Sequence, residues 1–333
     1  MHCSAAIRSD CGLILRRRLR RRPLPTETCL KPPYSYDALY AAAKLGDLID
    51  ELDELVRGGG HRHITVPPRE IVPAGDAGLC LSMPAVSARH GLYINKVATI
   101  FERAPDDVLP RIHALVAAFS STTGELLGLF DGAAVTNLKC AAVSALVTRY
   151  CAAERAEVLA VIGAGVQARQ QVAAVCAVRP IREIRLYARD PARLAAFAGD
   201  VAAQCGPRVA IVRARSVDDA IDGADVIGTA TASDRPLGRF ANLRPGVHIN
   251  CMGGHTTESR ELPNTLLRDA VLIVEDVPTA IEEAGELHRD ALDLGRLAAQ
   301  PVADLRRRTT VFSSTGHAFL DLATVAYLLK AVG

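Results

Sequence analysis

Val158-Leu159-Ala160-Val161-Ile162-Gly163-Ala164-Gly165-Val166-Gln167-Ala168 decides how this chain folds. A short apolar run predicts a buried strand, the spacing G-x-G-x-x-A follows at once, and an Ala-rich helical stretch comes next. The glycines permit a tight turn and let a pyrophosphate lie against bare backbone. The N-terminus of the following helix offers N–H donors and positive potential. The glycine pattern alone is a weak signal, but a strand before it, a helix after it and a second strand ending near Tyr187 supply the context that dinucleotide binding requires. Gly163, Ala164, Gly165, Val166 and Gln167 are therefore expected cofactor contacts.

Outward from this turn the texture repeats. Apolar runs at 158–162, 184–187, 209–212, 224–230, 247–251, 271–275 and 309–312 alternate with Ala-rich helical stretches, the pattern of a doubly wound parallel sheet. The expected fold class is α/β, with a Rossmann-type domain over 138–312 and a smaller mixed α+β domain built from 36–137 with 313–333. In that smaller part a helical pattern runs from Tyr36 through Leu45, Leu48, Ile49, Leu52 and Leu55 and stops at Gly58-Gly59-Gly60. The segments 64–66, 78–83, 93–101 and 112–119 read as strands of a mixed sheet. A buried helix over 137–153 leads into the glycine turn, and a last helix over 318–331 returns toward the smaller domain.

The end of the second strand selects between nicotinamide cofactors, because in NAD enzymes it carries an acid that accepts from the ribose hydroxyls. Here Ala188 stands at that place, Arg189 follows, and Arg193 lies one helical turn on. A 2′-phosphate would meet guanidinium groups, which favours NADP(H); NAD(H) stays open if Asp190 binds the ribose instead.

Composition excludes several classes. The chain has 333 residues, 49% hydrophobic and 23% charged, enough for a sizeable core. Net charge is only +2, with Arg16, Arg17, Arg18, Arg20, Arg21 and Arg22 in one block, so the remaining body is no nucleic-acid binder. Nine scattered cysteines show no zinc spacing and read as reduced, and no apolar run is long enough to span a membrane. The expected location is the cytoplasm, with no metal. Residues 1 to about 35 lack periodicity and read as a disordered extension, with an arginine-rich transit peptide as the alternative.

Beyond the glycine turn, Ser120-Ser121-Thr122-Thr123-Gly124-Glu125-Leu126-Leu127 and Thr136-Asn137-Leu138-Lys139-Cys140-Ala141-Ala142-Val143-Ser144-Ala145-Leu146 resemble the ornithine cyclodeaminase/μ-crystallin family. Pro67-Pro68-Arg69, Met83-Pro84-Ala85, Asn95-Lys96-Val97, Arg260-Glu261-Leu262 and Ser314-Thr315-Gly316 extend the resemblance, in order, over about residues 60–325. It implies a homodimer in which the smaller domain builds the substrate site and faces the cofactor domain across a cleft. It also implies that Arg69 holds a substrate carboxylate, that Lys96 lies near the reacting carbon, and that Met83, Lys139 and Glu283 face the substrate. Thr229, Ala230, Thr231 and Ser314 are expected at the cofactor on the same ground. A planar guanidinium suits bidentate carboxylate binding, and a desolvated ammonium can exchange a proton at an imine nitrogen.

Two positions depart from the family pattern. Lys139 stands where the family carries arginine, keeping the charge and losing the fork. Gly253-Gly254-His255-Thr256-Thr257-Glu258 replaces the Gly-Gly-Asp of true cyclodeaminases, so the aspartate is missing from its cyclodeaminase position. Glu258 or His255 is then expected as a catalytic proton carrier, as in the crystallin and alanine dehydrogenase branches; Glu258 as a mere helix cap is the alternative. The expected activity is hydride transfer to or from the α-carbon of an imine or amino acid, a small-molecule substrate. The alternatives are a deaminating cyclase and a non-catalytic nucleotide and ligand binder.

Overall fold

The computed structural model of the chain describes residues 32–75, 78–102, 109–254, 256–257 and 260–333. The arginine block and most of the proposed extension lie outside these. Tyr34 does not belong to an extension: its N–H donates to Leu129 O at 2.8 Å, its carbonyl accepts from Asp131 N at 3.0 Å, and its ring packs 5.0 Å from that of Phe130. The single helix expected from Tyr36 is two, α1 (Tyr36–Ala42) and α2 (Leu45–Arg57). The break has a tertiary cause, since the Tyr327 hydroxyl accepts from Lys44 N at 2.8 Å and donates to Lys44 O at 3.2 Å. The kink lets Leu39 of α1 and Leu48, Ile49, Leu52 and Val56 of α2 all bury. Gly59, at φ 68, then ends the helical run as the triplet predicts.

Five strands follow: β1 (Glu70–Pro73), β2 (Gly78–Ser87), β3 (Leu92–Phe101), β4 (Ile112–Ser120) and β5 (Leu126–Asp131), ordered β1-β2-β3-β4-β5. Every pair is antiparallel rather than mixed, because tight turns such as those at Gly91 (φ 61) and Gly124 (φ 76) join neighbours. The expected strand at 64–66 is only a bridge from Thr65 to Val86, cut off by Pro67 and Pro68. One face of the sheet is apolar by alternation, burying Met83, Ala85, Leu92, Ile94, Val116 and Ala118. Lys96 breaks that rule: it sits on the same buried face, in register with Met83 on β2 and Val116 on β4.

Helix α3 (Gly132–Cys151) starts earlier than its apolar spacing predicts, because the Asp131 carboxylate caps it by accepting from Ala134 N at 2.8 Å. It is buried nearly all round, packed against α2, β4 and the helices described next. The parallel sheet then runs β6 (Val158–Ile162), α4 (Val166–Val178), β7 (Glu183–Tyr187), α5 (Pro191–Cys205), β8 (Ala210–Arg213), α6 (Val217–Ile221), β9 (Val226–Thr229) and β10 (His248–Cys251). After these come α7 (Asn264–Asp269), β11 (Val271–Val274), α8 (Val277–Ala284), β12 (Leu292–Asp293), α9 (Leu294–Ala298), α10 (Val302–Leu305), β13 (Thr310–Ser313) and α11 (Ala318–Val332). The strand order is β12-β11-β13-β10-β9-β6-β7-β8, so the winding reverses between β6 and β9. Ligands of such sheets bind at that switch point. Helix α11 leaves the parallel sheet and packs on α2, α3, β2 and β3, which carries its side chains to the buried face holding Lys96.

Candidate active site

Gly163 and Gly165 serve different ends. Gly163 has φ +119, and a Cβ there would lie 2.3 Å from Ala230 O, so only glycine lets the turn touch the end of β9. Around Gly165 nothing lies within 4 Å of where a Cβ would point. Helix α4 begins beside that space with no side-chain cap, leaving its first N–H groups for an anion. Arg169 steadies the turn by donating to Ala164 O at 3.2 Å and Gly165 O at 3.4 Å while pairing with Asp200 at 2.5 Å. Val166 is exposed, whereas Gln167 donates to Asn137 Oδ1 at 3.0 Å and so ties α4 to α3. These features fit a dinucleotide pyrophosphate.

At the end of β7, past Ala188, the Asp190 carboxylate accepts from Ala192 N at 2.9 Å and Arg193 N at 3.2 Å, capping α5. Arg189 and Arg193 are both exposed, and neither forms an ion pair among the described residues.

Glu261 and Glu275 are buried carboxylates that organise the ends of the central strands. Glu261 accepts from Thr229 Oγ1 at 2.7 Å, Thr231 N at 2.7 Å, Thr231 Oγ1 at 2.6 Å and Gly253 N at 2.9 Å. The two threonine hydroxyls expected at the cofactor are thus committed to Glu261, and Ala230 lies between them. Glu275 accepts from Ser314 Oγ at 2.5 Å, Thr315 N at 3.1 Å and Gly316 N at 3.1 Å, so the Ser314 hydroxyl is likewise engaged.

That loop in turn positions Arg69. Its guanidinium donates to Thr315 O at 3.1 Å and Gly316 O at 2.8 Å and pairs through Nε with Glu283 at 2.6 Å. Arg69, Met83, Glu275, Glu283, His317 and Phe319 line one cleft of about 820 Å³. Burial pushes the Glu283 carboxyl up to about 7, against the pull of Arg69.

Behind the cleft lie three buried charges. Lys96 Nζ reaches Asp321 Oδ2 on α11 at 2.8 Å, with both side chains inaccessible or nearly so. Burial holds the Lys96 ammonium below the ordinary amine range, Lys139 adds to this, and Asp321 opposes it. Lys139 on α3 is 4% exposed and has no ion pair within 4 Å among the described residues. A Cβ on Gly316 would lie 3.4 Å from its Nζ, which puts Lys139 against the same loop that holds Arg69. Burial works against its charge, but Cys140, Asp321 and Glu275 outweigh it and raise its pKa. Two lysine amines thus flank one aspartate in a buried site, with Glu275 acting on Lys139 as well.

The structure brings Arg69, Met83 and Glu283 together and sets Lys96 and Lys139 around Asp321. His255 and Glu258 lie outside the described residues. Sequence reading assigned no role to Asp321, Glu275 or Arg169, and treated Glu261 only as part of a matching tripeptide. Asp321 had one signal, a lone acid in the otherwise apolar run Ala318-Phe319-Leu320-Asp321-Leu322-Ala323.

A parallel sheet with an uncapped glycine turn at its switch point, beside a charged cleft backed by an antiparallel sheet, defines a two-sheet dinucleotide-binding oxidoreductase fold. The chain belongs to the ornithine cyclodeaminase/mu-crystallin family, whose sequence model matches residues 39–332. It is 33% identical over 261 residues to the rat (Rattus norvegicus) ketimine reductase mu-crystallin, covering 77% of this chain and 82% of that one. It is 31% identical over 280 residues to a Bacillus cereus Δ1-pyrroline-2-carboxylate reductase, covering 79% and 85%. Among solved structures, the Thermococcus litoralis Δ1-pyrroline-2-carboxylate reductase in complex with NADH and L-proline superposes with a TM-score of 0.78 at 26% identity, covering 88% of this chain and 94% of that one.

Proposed function

We propose that this chain uses a nicotinamide cofactor to reduce the C=N bond of an imine bearing a neighbouring carboxylate, and in reverse to oxidise the matching amino acid. The observation that carries this reading is the buried Lys96–Asp321–Lys139 cluster behind a cleft whose mouth holds Arg69. Such a site attracts a small carboxylate and keeps a proton donor dehydrated beside it. The named relatives reduce a ketimine and a cyclic imine carboxylate, which supports the same class of substrate.

In this reading Arg69 and Lys139 fix the carboxylate, and Met83 packs against the rest of the substrate. Lys96 gives its proton to the imine nitrogen. The cofactor supplies the hydride. Its pyrophosphate is held by the backbone of Gly163, Ala164, Gly165 and Val166, with Gln167 bracing the turn through Asn137. At the strand ends Ala230 and the backbone of Thr229, Thr231 and Ser314 make the contact surface, since their hydroxyls serve Glu261 and Glu275. NADP(H) is the preferred form, supported by Ala188 at the strand end, by Asp190 being engaged as a cap, and by Arg189 and Arg193 having no acidic partner among the described residues.

The domain division follows the two sheets, one serving the substrate and the other the cofactor. We place the homodimer contact on the sheet face turned away from α11, where Val72 and Val97 are 50% and 44% exposed beside Cys80 and Leu115. No helix among the described residues is long and apolar enough to cross a membrane. The test is turnover: NADPH or NADH is incubated with a panel of cyclic ketimine carboxylates and of 2-oxo acids plus amines. Oxidation of cofactor above background is expected, and none with any member of the panel refutes the reading.

A further inference from the structure

We infer that Asp321 is the positioning residue that keeps Lys96 protonated and aimed, so that a carboxylate shut away from the cleft governs proton delivery within it. The inference rests on the reductase reading for its consequence in catalysis, though not for its physical basis. Lys96 sits where the alternation of β3 calls for an apolar side chain, and it is 6% exposed. Water cannot hold its charge there. Among its neighbours Lys139 acts against that charge, Asp321 and to a lesser degree Cys140 support it, and it is Asp321 that lies within hydrogen-bond distance, 2.8 Å away.

Lys96 comes from β3, Lys139 and Cys140 from α3, and Asp321 from α11. Arg69 and His317 lie on the cleft side of Asp321, and Glu275 lies beside Lys139. Burial works to raise the Asp321 carboxyl, but Lys96, Lys139 and Arg69 pull it below the usual range, so it is the standing anion of the cluster.

The fold has no packing reason for an acid at this position. Leu320, Leu322, Val325 and Leu328 of α11 are all buried and apolar, and Asp321 is fully buried among them, its Oδ1 without a hydrogen-bond partner among the described residues. An unsatisfied buried carboxylate oxygen destabilises the folded state, and its retention points to a role beyond packing. The loop that precedes α11 strengthens the case. Glu275 holds Ser314, Thr315 and Gly316, the carbonyls of Thr315 and Gly316 hold Arg69, and the helix that follows delivers Asp321 to Lys96. One stretch of chain, 314–321, therefore sets both the carboxylate anchor and the proton donor.

Lys96 is accessible to a direct titration because the chain has only five lysines, Lys31, Lys44, Lys96, Lys139 and Lys330. Protein carrying carbon-13 at the lysine ε position gives one resonance per lysine, and Lys96→Arg identifies the one of interest. Asp321→Asn should lower the Lys96 titration midpoint by about one pH unit or more. Asp321→Glu, which keeps the charge, should restore much of that shift. If the Asn variant does not fold, Asp321→Leu, matched to Leu320 and Leu322, carries the same measurement.

In turnover, loss of activity at the alkaline end of the pH profile should move to lower pH with the same displacement. The Asn variant should be about tenfold slower there, and within about threefold of the unmodified enzyme at the acid end. An unchanged Lys96 midpoint overturns the inference, and so does an activity loss equal at every pH. Absence of turnover by the unmodified protein refutes the reductase reading instead, and the titration still decides the role of Asp321.

Discussion

The two ends of the site treat charge in opposite ways. At the proposed substrate end Lys96, Lys139 and Asp321 are all buried and Arg69 is locked to Glu283 and two carbonyls. At the proposed adenosine end Arg189 and Arg193 lie toward solvent on α5 and its approach, with no acid among the described residues holding them. A buried charge costs several kcal/mol to leave unpaired, whereas an exposed one is screened to about 1 kcal/mol or less. Substitutions at the first end should therefore decide whether the protein works at all, and those at the second only which cofactor it prefers.

The sharpest break in this contrast is Lys96→Ala. Removing the proposed proton donor should lower kcat by about 10²- to 10⁴-fold with a smaller change in KM, and binding of the nicotinamide cofactor should survive because Lys96 is not part of the glycine turn. Near-normal kcat in this variant would end the assignment and make His255 or Glu258 the next donor to test. Arg69→Ala should act differently, raising KM by about 2–4 kcal/mol in free-energy terms while kcat changes little, since the lost contact is made in the ground state. Steady-state kinetics with one cyclic ketimine carboxylate reads both variants. Effects on the same parameter would show that the two residues do not have separate roles.

Between these extremes stands Glu283, whose carboxyl titrates at about 7 beside Arg69. Above that pH it is ionised and competes with a substrate carboxylate for the guanidinium; below it, protonated, it releases Arg69. KM should thus rise as pH climbs through about 7, by up to about tenfold per unit, because one proton is taken up on binding. Glu283→Gln should flatten that dependence and leave KM near its low-pH value. A slope that persists in the Gln variant assigns the proton to another titratable group lining the same cleft, such as His317.

What the sequence makes legible follows the same division between local and distant causes. The glycine turn, the strand–helix alternation and the stop at Gly58-Gly59-Gly60 are set by neighbours within a few residues, and they are found where the pattern puts them. The split between α1 and α2 was not legible, because the tyrosine that causes it is 283 residues away. Nor was the partner of Lys96, which lies 225 residues on. The same holds for Thr229 and Thr231: the resemblance marks them as expected cofactor contacts, but only the folded chain brings Glu261 to take their hydroxyls. Resemblance supplied Arg69 and Lys96; the carboxylates that position them needed the tertiary structure.

The smallest expected effect is at the adenosine end. NADPH should bind at least about tenfold more tightly than NADH, roughly 1.4 kcal/mol, the scale of one guanidinium–phosphate contact near the surface. Arg189→Ala should remove most of that margin by weakening NADPH alone, since NADH offers no 2′-phosphate. Raising the salt concentration should narrow the gap in the unmodified protein, because the contact lies toward solvent and is screened. The substrate end supplies the control: salt should leave the Lys96 titration unchanged, as that pair is buried. Equal affinities for the two cofactors at low salt would show that Arg189 and Arg193 are solvated surface charges, and that the second oxygen of Asp190, left over from capping α5, is free to meet the ribose.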